Sequence, residues 1–446
     1  MSSKPKIITH ISRNHGTDTS NFHFDRNSVR LVSNSPIISQ YRLDAYETFR
    51  QLPIPDKKQE AWRRTDLKTL KPGRFVLNSD GFNHRLENKT TIFADPKAGF
   101  AGSVLVSSHD SKITLDPGIE KMGVIFVDLR TAENKHSDLL EKFLGKVIKP
   151  NEGKFAALSA AFASNGIFLY VPKNVILEKP LQSVLTASGS DTAFISHVLI
   201  CLDEGASATC FQEYTSTPAN EAKFHSGLVE IMLAERASLK FVEIQSWDQG
   251  VFNFTHERVQ VGKSANLDWV IGALGSRLTK SFVDLDLVGE GATGKVSGFS
   301  FTNGHQHLDY DTQQNHRVPR TTSDLLYKVA LTDESRSIWQ GMIYVAPGAV
   351  KADGYQANRN LILSSNARAD SIPGLEILAD DVRCTHGATV GDLDFEQVYY
   401  LMTRGIPRNE AEKMLVEGFF DPIMQRIPFE TVRSRFYRAI HKKLKL

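Results

Sequence analysis

The chain has 446 residues, more than one compact core usually holds, and this predicts either several domains or one elongated repeat structure. Its 53 basic and 51 acidic residues nearly cancel, so the overall charge does not indicate binding to nucleic acid or to a membrane surface. Three cysteines are too few for a disulfide framework and favour a reducing compartment.

The amino-terminal part, residues 1–95, is predicted to be an arm followed by a small helical domain. Residues 1–35 are polar, lack periodicity and lack the apolar segment of a secretory signal, so we expect a loosely ordered arm and a soluble, cytoplasmic protein. A first helix is predicted by apolar residues at helical spacing, namely Ile38, Tyr41, Ala45 and Phe49. A second helical segment is expected after Pro55, through residues 59–62, ending before Pro72.

The central part, residues 96–391, consists of short alternating segments that predict β-strands. A faint repeat places a small residue before successive strands, at Ala206, Ala237, Ala265 and Ala292. A small residue at a recurring corner, followed by a strand, is typical of a coil that stacks on the previous coil. We therefore predict a mostly β protein with a right-handed parallel β-helix core, and a large antiparallel sandwich with evenly spaced hairpins is the alternative.

The carboxyl-terminal part, residues 392–446, is predicted to be a small helical domain. Asp394 is a candidate N-cap for a first helix that ends at Gly405. This helix has one apolar face of Phe395, Val398, Tyr399 and Met402, and two further helices follow it. Such faces serve either to bind a partner or to pack on the β-region, and on these residues alone we favour packing.

The segment from Gly289 to Lys295 has the spacing of a phosphate-binding loop. Val296 stands where a Ser or Thr hydroxyl is needed for Mg²⁺, and the residues that follow alternate like a strand, although phosphate binding needs a helix there. We therefore interpret the segment as a repeat corner and expect no ATPase activity from this chain.

Histidines and aspartates of the central part are candidates for two other kinds of site. His305, His307 and His316 offer metal ligands, but hydrogen-bonded imidazoles on a sheet are the favoured interpretation. The carboxylates Asp309, Asp311 and Asp353 suggest a β-helix carbohydrate-active enzyme as the alternative function, although the sequence does not show that any two of them pair.

Cys384 and His386 combine a thiol and an imidazole two residues apart, before the helical tail. In an extended segment they lie on the same face, where both are suitable ligands for a soft metal ion. An isolated pair of this kind is more often one buried thiol and one hydrogen-bonded imidazole, and both interpretations stay open at this point.

Three segments resemble the SufD family of scaffold subunits in the SUF iron–sulfur cluster assembly system. They are 351–363, 375–391 and 396–406, and residues 60–65, Glu-Ala-Trp-Arg-Arg-Thr, are similar to the same family. Chains of the paralogous SufB family carry a Cys where this chain has Ile377 and a Glu where it has Gly387. The resemblance is therefore to the D-type subunit.

The resemblance implies a non-catalytic subunit that pairs with a SufB-like paralogue and binds a SufC-like ABC ATPase. By motif position, His386 contributes to a transient iron–sulfur cluster at the interface with the paralogue, whereas Cys384 is either a ligand or a structural thiol. The ATPase-binding region corresponds to Asp394 to Pro428. No cofactor is expected to bind tightly to the isolated chain, and reduced flavin is implied on the complex.

Overall fold

The protein is built on two sheets of parallel strands that wind into a solenoid. The computed structural model describes residues 20–77, 93, 99–218 and 221–444. Strands make up 42% of the structure and helices 23%, and the strands form a parallel β-solenoid of about eight turns. The predicted β-helix is thus confirmed, and the antiparallel sandwich is excluded.

Each solenoid turn contributes one strand to each sheet, so from β5 onwards the odd strands lie in the first sheet and the even strands in the second. The first sheet contains β1 (Val76–Leu77), β4 (Ile125–Asp128), β5 (Asn165–Val171), β7 (Thr192–Leu202), β9 (Lys223–Leu233), β11 (Val251–Val261), β13 (Leu278–Leu287), β15 (His307–His316), β17 (Arg336–Val345) and β19 (Arg368–Ile377). The second contains β2 (Gly102–Val106), β3 (Ser111–Leu115), β6 (Leu181–Ala187), β8 (Ser207–Ser216), β10 (Ser238–Ser246), β12 (Asn266–Ala273), β14 (Thr293–Thr302), β16 (Thr322–Leu331), β18 (Asp353–Ile362) and β20 (Arg383–Asp392). The pairs β2–β3 and β4–β5 are antiparallel, and the turns that follow are parallel.

The four alanines of the sequence repeat lie at equivalent corners of four successive turns. Each is buried and comes directly before an even strand of the second sheet. The residue before each alanine has a positive φ, at Gly205, Arg236, Ser264 and Gly291. At every corner the alanine N–H donates to the carbonyl three residues earlier, over 3.0–3.2 Å. The small side chain is therefore required because the chain reverses tightly inside the stack.

The helices cover the outer faces of the sheets. They are α1 (Pro36–Gln51), α2 (Pro117–Lys121), α3 (Leu129–Lys135), α4 (Ser137–Leu140), α5 (Lys154–Phe162), α6 (Phe395–Thr403), α7 (Arg408–Met424) and α8 (Glu430–Lys443), with 3₁₀ turns at Arg26–Ser28, Glu60–Trp62, Pro72–Arg74 and Pro150–Glu152. α1 and α5 pack on the first sheet, and α7 and α8 pack on the second. No helix among the described residues is long and apolar enough to cross a membrane.

Two expectations for the amino-terminal part are wrong. Residues 1–19 of the predicted arm lie outside the described residues, but Phe22 and Phe24 are buried against α5 and the first sheet instead of lying in a loose arm. The second predicted helix is a single 3₁₀ turn. Trp62 packs on Phe254 of the first sheet, and Thr65 donates a hydrogen bond to Asp309. These contacts hold the segment along the sheet, so the backbone does not continue as a helix.

The carboxyl-terminal helices begin and end as the sequence predicts. The Asp394 carboxylate accepts hydrogen bonds from the N–H groups of Glu396 and Gln397, which caps α6. Gly405 has a φ of +85° directly after the helix. The interpretation of 289–295 as a solenoid corner is also confirmed, because β14 follows it where a phosphate loop needs a helix.

Candidate functional site

The last solenoid turn leaves both sheets with a free edge. Among the described residues, β19 pairs only with β17, and β20 pairs only with β18. An edge strand presents a row of unpaired N–H and C=O groups, which another chain can extend. We call the β19–β20 edge and the inward-facing side chains of these two strands the open end.

Apolar side chains at the open end are exposed although the same rows are buried one turn deeper. Leu375 and Ile377 of β19 are 37% and 39% exposed, whereas their register partners Ile343 and Val345 of β17 are fully buried. Val390 of β20 is 53% exposed. The exposure arises because no further turn of the described chain covers these side chains. Exposed apolar surface of this kind is typical of an interaction site.

Cys384 lies at the side of the open end and is half-buried. Its register partner is Gly354, and its side chain packs against the apolar cluster around Ile343 and Val345. Burial raises the pKa of the Cys384 thiol, and the nearby Asp353 carboxylate raises it further. The thiol is therefore protonated at neutral pH in the isolated chain.

His386 lies two residues further along β20 on the same face and is exposed. Its register partner, Gln356, is buried inside the solenoid. Among the described residues, the imidazole of His386 has no hydrogen-bond or ion-pair partner. Both of its nitrogens are therefore available to a group that approaches the open end, such as a metal ion or a proton donor.

The three other histidines singled out in the sequence do not form a metal site. The nitrogens of buried His316 contact the hydroxyls of Thr321 and Ser323 at 2.7 and 2.9 Å. His307 lies 3.4 Å from the Thr65 hydroxyl, and His305 is exposed beside Glu334. Within the described part of the chain, no three His, Cys, Asp or Glu side chains are grouped as a metal site requires.

The aspartates of the carbohydrate-active alternative lie in ion pairs. The buried ammonium of Lys280 is 3.0 Å from Asp309 and 2.9 Å from Asp311. Asp353 pairs with Arg383 on the neighbouring strand β20. Asp309 and Asp311 thus hold a buried cation beneath the amino-terminal segment.

α6 exposes most of its apolar face, unlike the two helices that follow it. Phe395 and Tyr399 are 68% and 69% exposed, and within α6 only Val398 is buried. α7 and α8, in contrast, bury apolar residues such as Phe420 and Phe436 against the second sheet. Packing on the β-region is therefore observed for α7 and α8, whereas α6 leaves most of its apolar face uncovered by the described residues.

Sequence reasoning missed the exposed apolar rows of the open end. Leu375, Ile377 and Val390 look like ordinary strand residues that point into a core. The signal for their exposure is that the β pattern stops at Gly391, so that no later turn covers the last one.

The comparisons with known proteins agree with this architecture. Residues 184–419 match the family model "SUF system FeS cluster assembly, SufBD core domain", and residues 20–183 match "SufBD protein N-terminal region". The chain is 32% identical over 414 residues to the iron–sulfur cluster assembly protein SufD of Bacillus subtilis, covering 92% of this chain and 94% of the relative. It is 33% identical over 441 residues to an iron–sulfur cluster assembly SufBD family protein of Staphylococcus haemolyticus, covering 93% of each. The chain therefore belongs to the SufBD family of the SUF iron–sulfur cluster assembly system.

Proposed function

We propose that the chain is a non-catalytic scaffold subunit that pairs with a SufB-like paralogue through the open end. The observation that carries this proposal is the pair of free strand edges with exposed apolar rows beside them. A paralogue with the same solenoid can continue both sheets and cover Leu375, Ile377 and Val390. The name of the Bacillus subtilis relative, an assembly protein of the SufD type, supports the same role.

In this proposal, His386 contributes one ligand to a transient iron–sulfur cluster, which is the cargo of the complex. The imidazole supports this role because it is exposed and has no partner among the residues that the structure describes. Cys384 is proposed to be structural because its thiol is half-buried and its pKa is raised. One imidazole does not complete a cluster site, so the remaining ligands have to come from the paralogue. Reduced flavin on the complex stays a prediction to which no residue of this chain is assigned.

The region from Asp394 to Pro428 is proposed to bind a SufC-like ATPase. The exposed Phe395 and Tyr399 of α6 support this part, because they are an apolar surface that none of the described residues covers. The rest of the region, α7, is held on the second sheet by buried contacts and gives α6 a fixed base.

His386→Ala in the assembled complex tests the proposal. We expect iron and sulfide bound per complex to fall about tenfold or more, because alanine offers no ligand and no proton acceptor. The melting temperature should stay within about 1 °C of the wild type, because the imidazole is exposed and has no partner in the described chain. The matched control is His305→Ala, which removes an imidazole that is 84% exposed and lies outside the open end.

The two variants separate the ligand role from a structural role. A loss of cluster in both variants would mean that removal of any exposed imidazole impairs assembly. An unchanged amount of iron and sulfide in the His386 variant would contradict its contribution to the cluster.

A further inference from the structure

A cavity of about 720 Å³ lies between α8 and the edges of successive solenoid turns. Trp247, Asp248 and Asn303 belong to its solenoid wall. The helix contributes Arg435, Arg438, Lys442 and Lys443. The cavity is separate from the open end and from the proposed ATPase-binding region, so neither of those sites accounts for it.

The charge of the lining is strongly unbalanced. Three cationic side chains of α8, Arg435, Arg438 and Lys442, line the cavity, and Asp248 is the one carboxylate among its described lining residues. Burial lowers the pKa of the fourth basic side chain, Lys443, to about 7. Positions 435, 438 and 442 are spaced so that they share one face of the helix. The opposite face, with Val432, Phe436 and Ile440, is buried against the second sheet. Packing therefore holds the cations towards the cavity.

Lys443 fixes the end of α8 against the solenoid. Its ammonium donates hydrogen bonds to the carbonyl oxygens of Leu274 and Phe301, both at 2.5 Å, and to Gln306 Oε1 at 2.9 Å. These bonds link the last turn of the helix to three points of the solenoid. The cavity is thus bounded by two anchored walls and does not depend on a loose helix end.

Two buried polar atoms of the lining residues lack a hydrogen-bond partner within the described chain. They are the indole Nε1 of Trp247 and the amide Oδ1 of Asn303. Buried polar groups are normally hydrogen-bonded, so a ligand group that reached either atom from the cavity would gain a hydrogen bond. Leu274 and Phe93 add apolar surface to the same wall.

We propose that this cavity binds a phosphorylated organic anion of nucleotide size. Arginine and lysine side chains are the groups that bind phosphate oxygens, and the number of cations suits more than one phosphate charge. The apolar wall at Leu274 and Phe93 suits the organic part of the ligand. The volume falls within the range of about 300–1,000 Å³ that is typical of ligand cavities.

Isothermal titration calorimetry on the full chain tests the proposal with three probes, namely ADP, inorganic pyrophosphate and adenosine. We expect ADP and pyrophosphate to bind and adenosine, which has no phosphate, to give no measurable binding. The double variant R438Q/K442Q should weaken ADP binding about tenfold or more, because two charge-assisted contacts are lost. Both side chains are exposed, so the fold should be unaffected.

Two further variants separate the cavity from general charge effects. Asp248→Asn removes the carboxylate of the lining and should tighten ADP binding about threefold, an effect that a damaged fold does not produce. The control K112Q/K121Q removes two exposed lysines on β3 and α2, outside the cavity, and should leave the affinity unchanged. Absence of ADP binding, binding of pyrophosphate without ADP, or equal losses in the two double variants would overturn the proposal.

Discussion

Glu243 and Glu257 form a carboxyl pair inside the solenoid. They face inward from β10 and β11, both are buried, and the two carboxyl groups influence each other's pKa. Burial raises the pKa of Glu257 to about 7, and burial together with the charge of Glu257 raises the pKa of Glu243 well above its usual value. The Ser281 hydroxyl donates to Glu257 over 3.3 Å. The folded chain thus holds protons that the unfolded chain releases.

This pair predicts a stability that falls as the pH rises. A carboxyl group whose pKa is raised on folding stabilises the folded state fully below its unfolded pKa, which is 4.5 for Glu257, and this contribution is lost as the pH rises to about 7. The loss is on the order of 3 kcal/mol. Glu257→Gln keeps a neutral hydrogen-bonding group, so we expect it to unfold at a higher denaturant concentration than the wild type at pH 8.

Denaturant unfolding of the two proteins at pH 5, 6, 7 and 8 measures this difference. The gap between variant and wild type should widen from pH 5 to pH 7. Glu376→Gln, which changes an exposed carboxylate of β19, is the control and should run parallel to the wild type. Parallel curves for Glu257→Gln and the wild type would show that the pair carries no shifted proton.

At the level of single residues, the sequence predicts which side chains share a face but not how far each is exposed. Strand alternation places Cys384 and His386 together. The half-burial of Cys384 and the exposure of His386 depend on their position in the last turn, where the interior opens to solvent. Likewise, Asp309 accepts a hydrogen bond from Thr65, which is distant in the sequence, and no local pattern indicates that contact.

The three helices of the carboxyl-terminal part differ in the contacts that hold them on the solenoid. α7 and α8 are fixed by apolar contacts with the second sheet and by polar ones, such as the Lys328 ammonium donating to the Phe419 carbonyl at 2.6 Å. α6 buries one residue and exposes the rest of its apolar face. Removal of the whole tail would uncover the second sheet, so substitutions on α6 alone are the better probe of partner binding.

The double variant F395S/Y399S is expected to weaken binding of the ATPase subunit about tenfold or more, because two exposed aromatic anchors are lost. The chain itself should keep its melting temperature, since both side chains are more than two-thirds exposed. The affinity is measured by calorimetry with the purified ATPase. Ile176→Ser, which changes an apolar residue that is 65% exposed outside the tail, is the control. An unchanged affinity in the double variant would exclude α6 as the binding surface.

At the level of elements, helices with caps were predictable and a packed 3₁₀ segment was not. Asp394 and Gly405 mark the two ends of α6 by backbone chemistry that is local in the sequence. The segment around Trp62 takes its shape from contacts with the first sheet, which lie far away in the sequence. The amphipathic pattern also cannot tell that α6 exposes its apolar face while α8 buries its own. The pattern shows that one face of a helix is apolar, but it does not show what packs against that face.

For the whole molecule, the repeat of small corner residues is what made the solenoid predictable. The spacing between corners sets one turn, and the turns stack in register over long parallel ladders. The predicted domains, 1–95, 96–391 and 392–446, stay predictions, and the family models divide the chain between residues 183 and 184. The position of the amino-terminal part on the solenoid depends on tertiary contacts. The sequence repeat carries no information about these contacts.

Because β19 and β20 have free edges, we expect the solenoid to unfold locally from this end first. Each turn is held mainly by its two neighbours, and the last turn has one. Amide hydrogens of β20 should therefore exchange with deuterium faster than those of β18, and those of β18 faster than those of β12. Addition of the paralogue should slow exchange first in β19 and β20. Uniform protection along the free chain, measured by mass spectrometry, would mean that the stack unfolds as one unit and does not fray from its end.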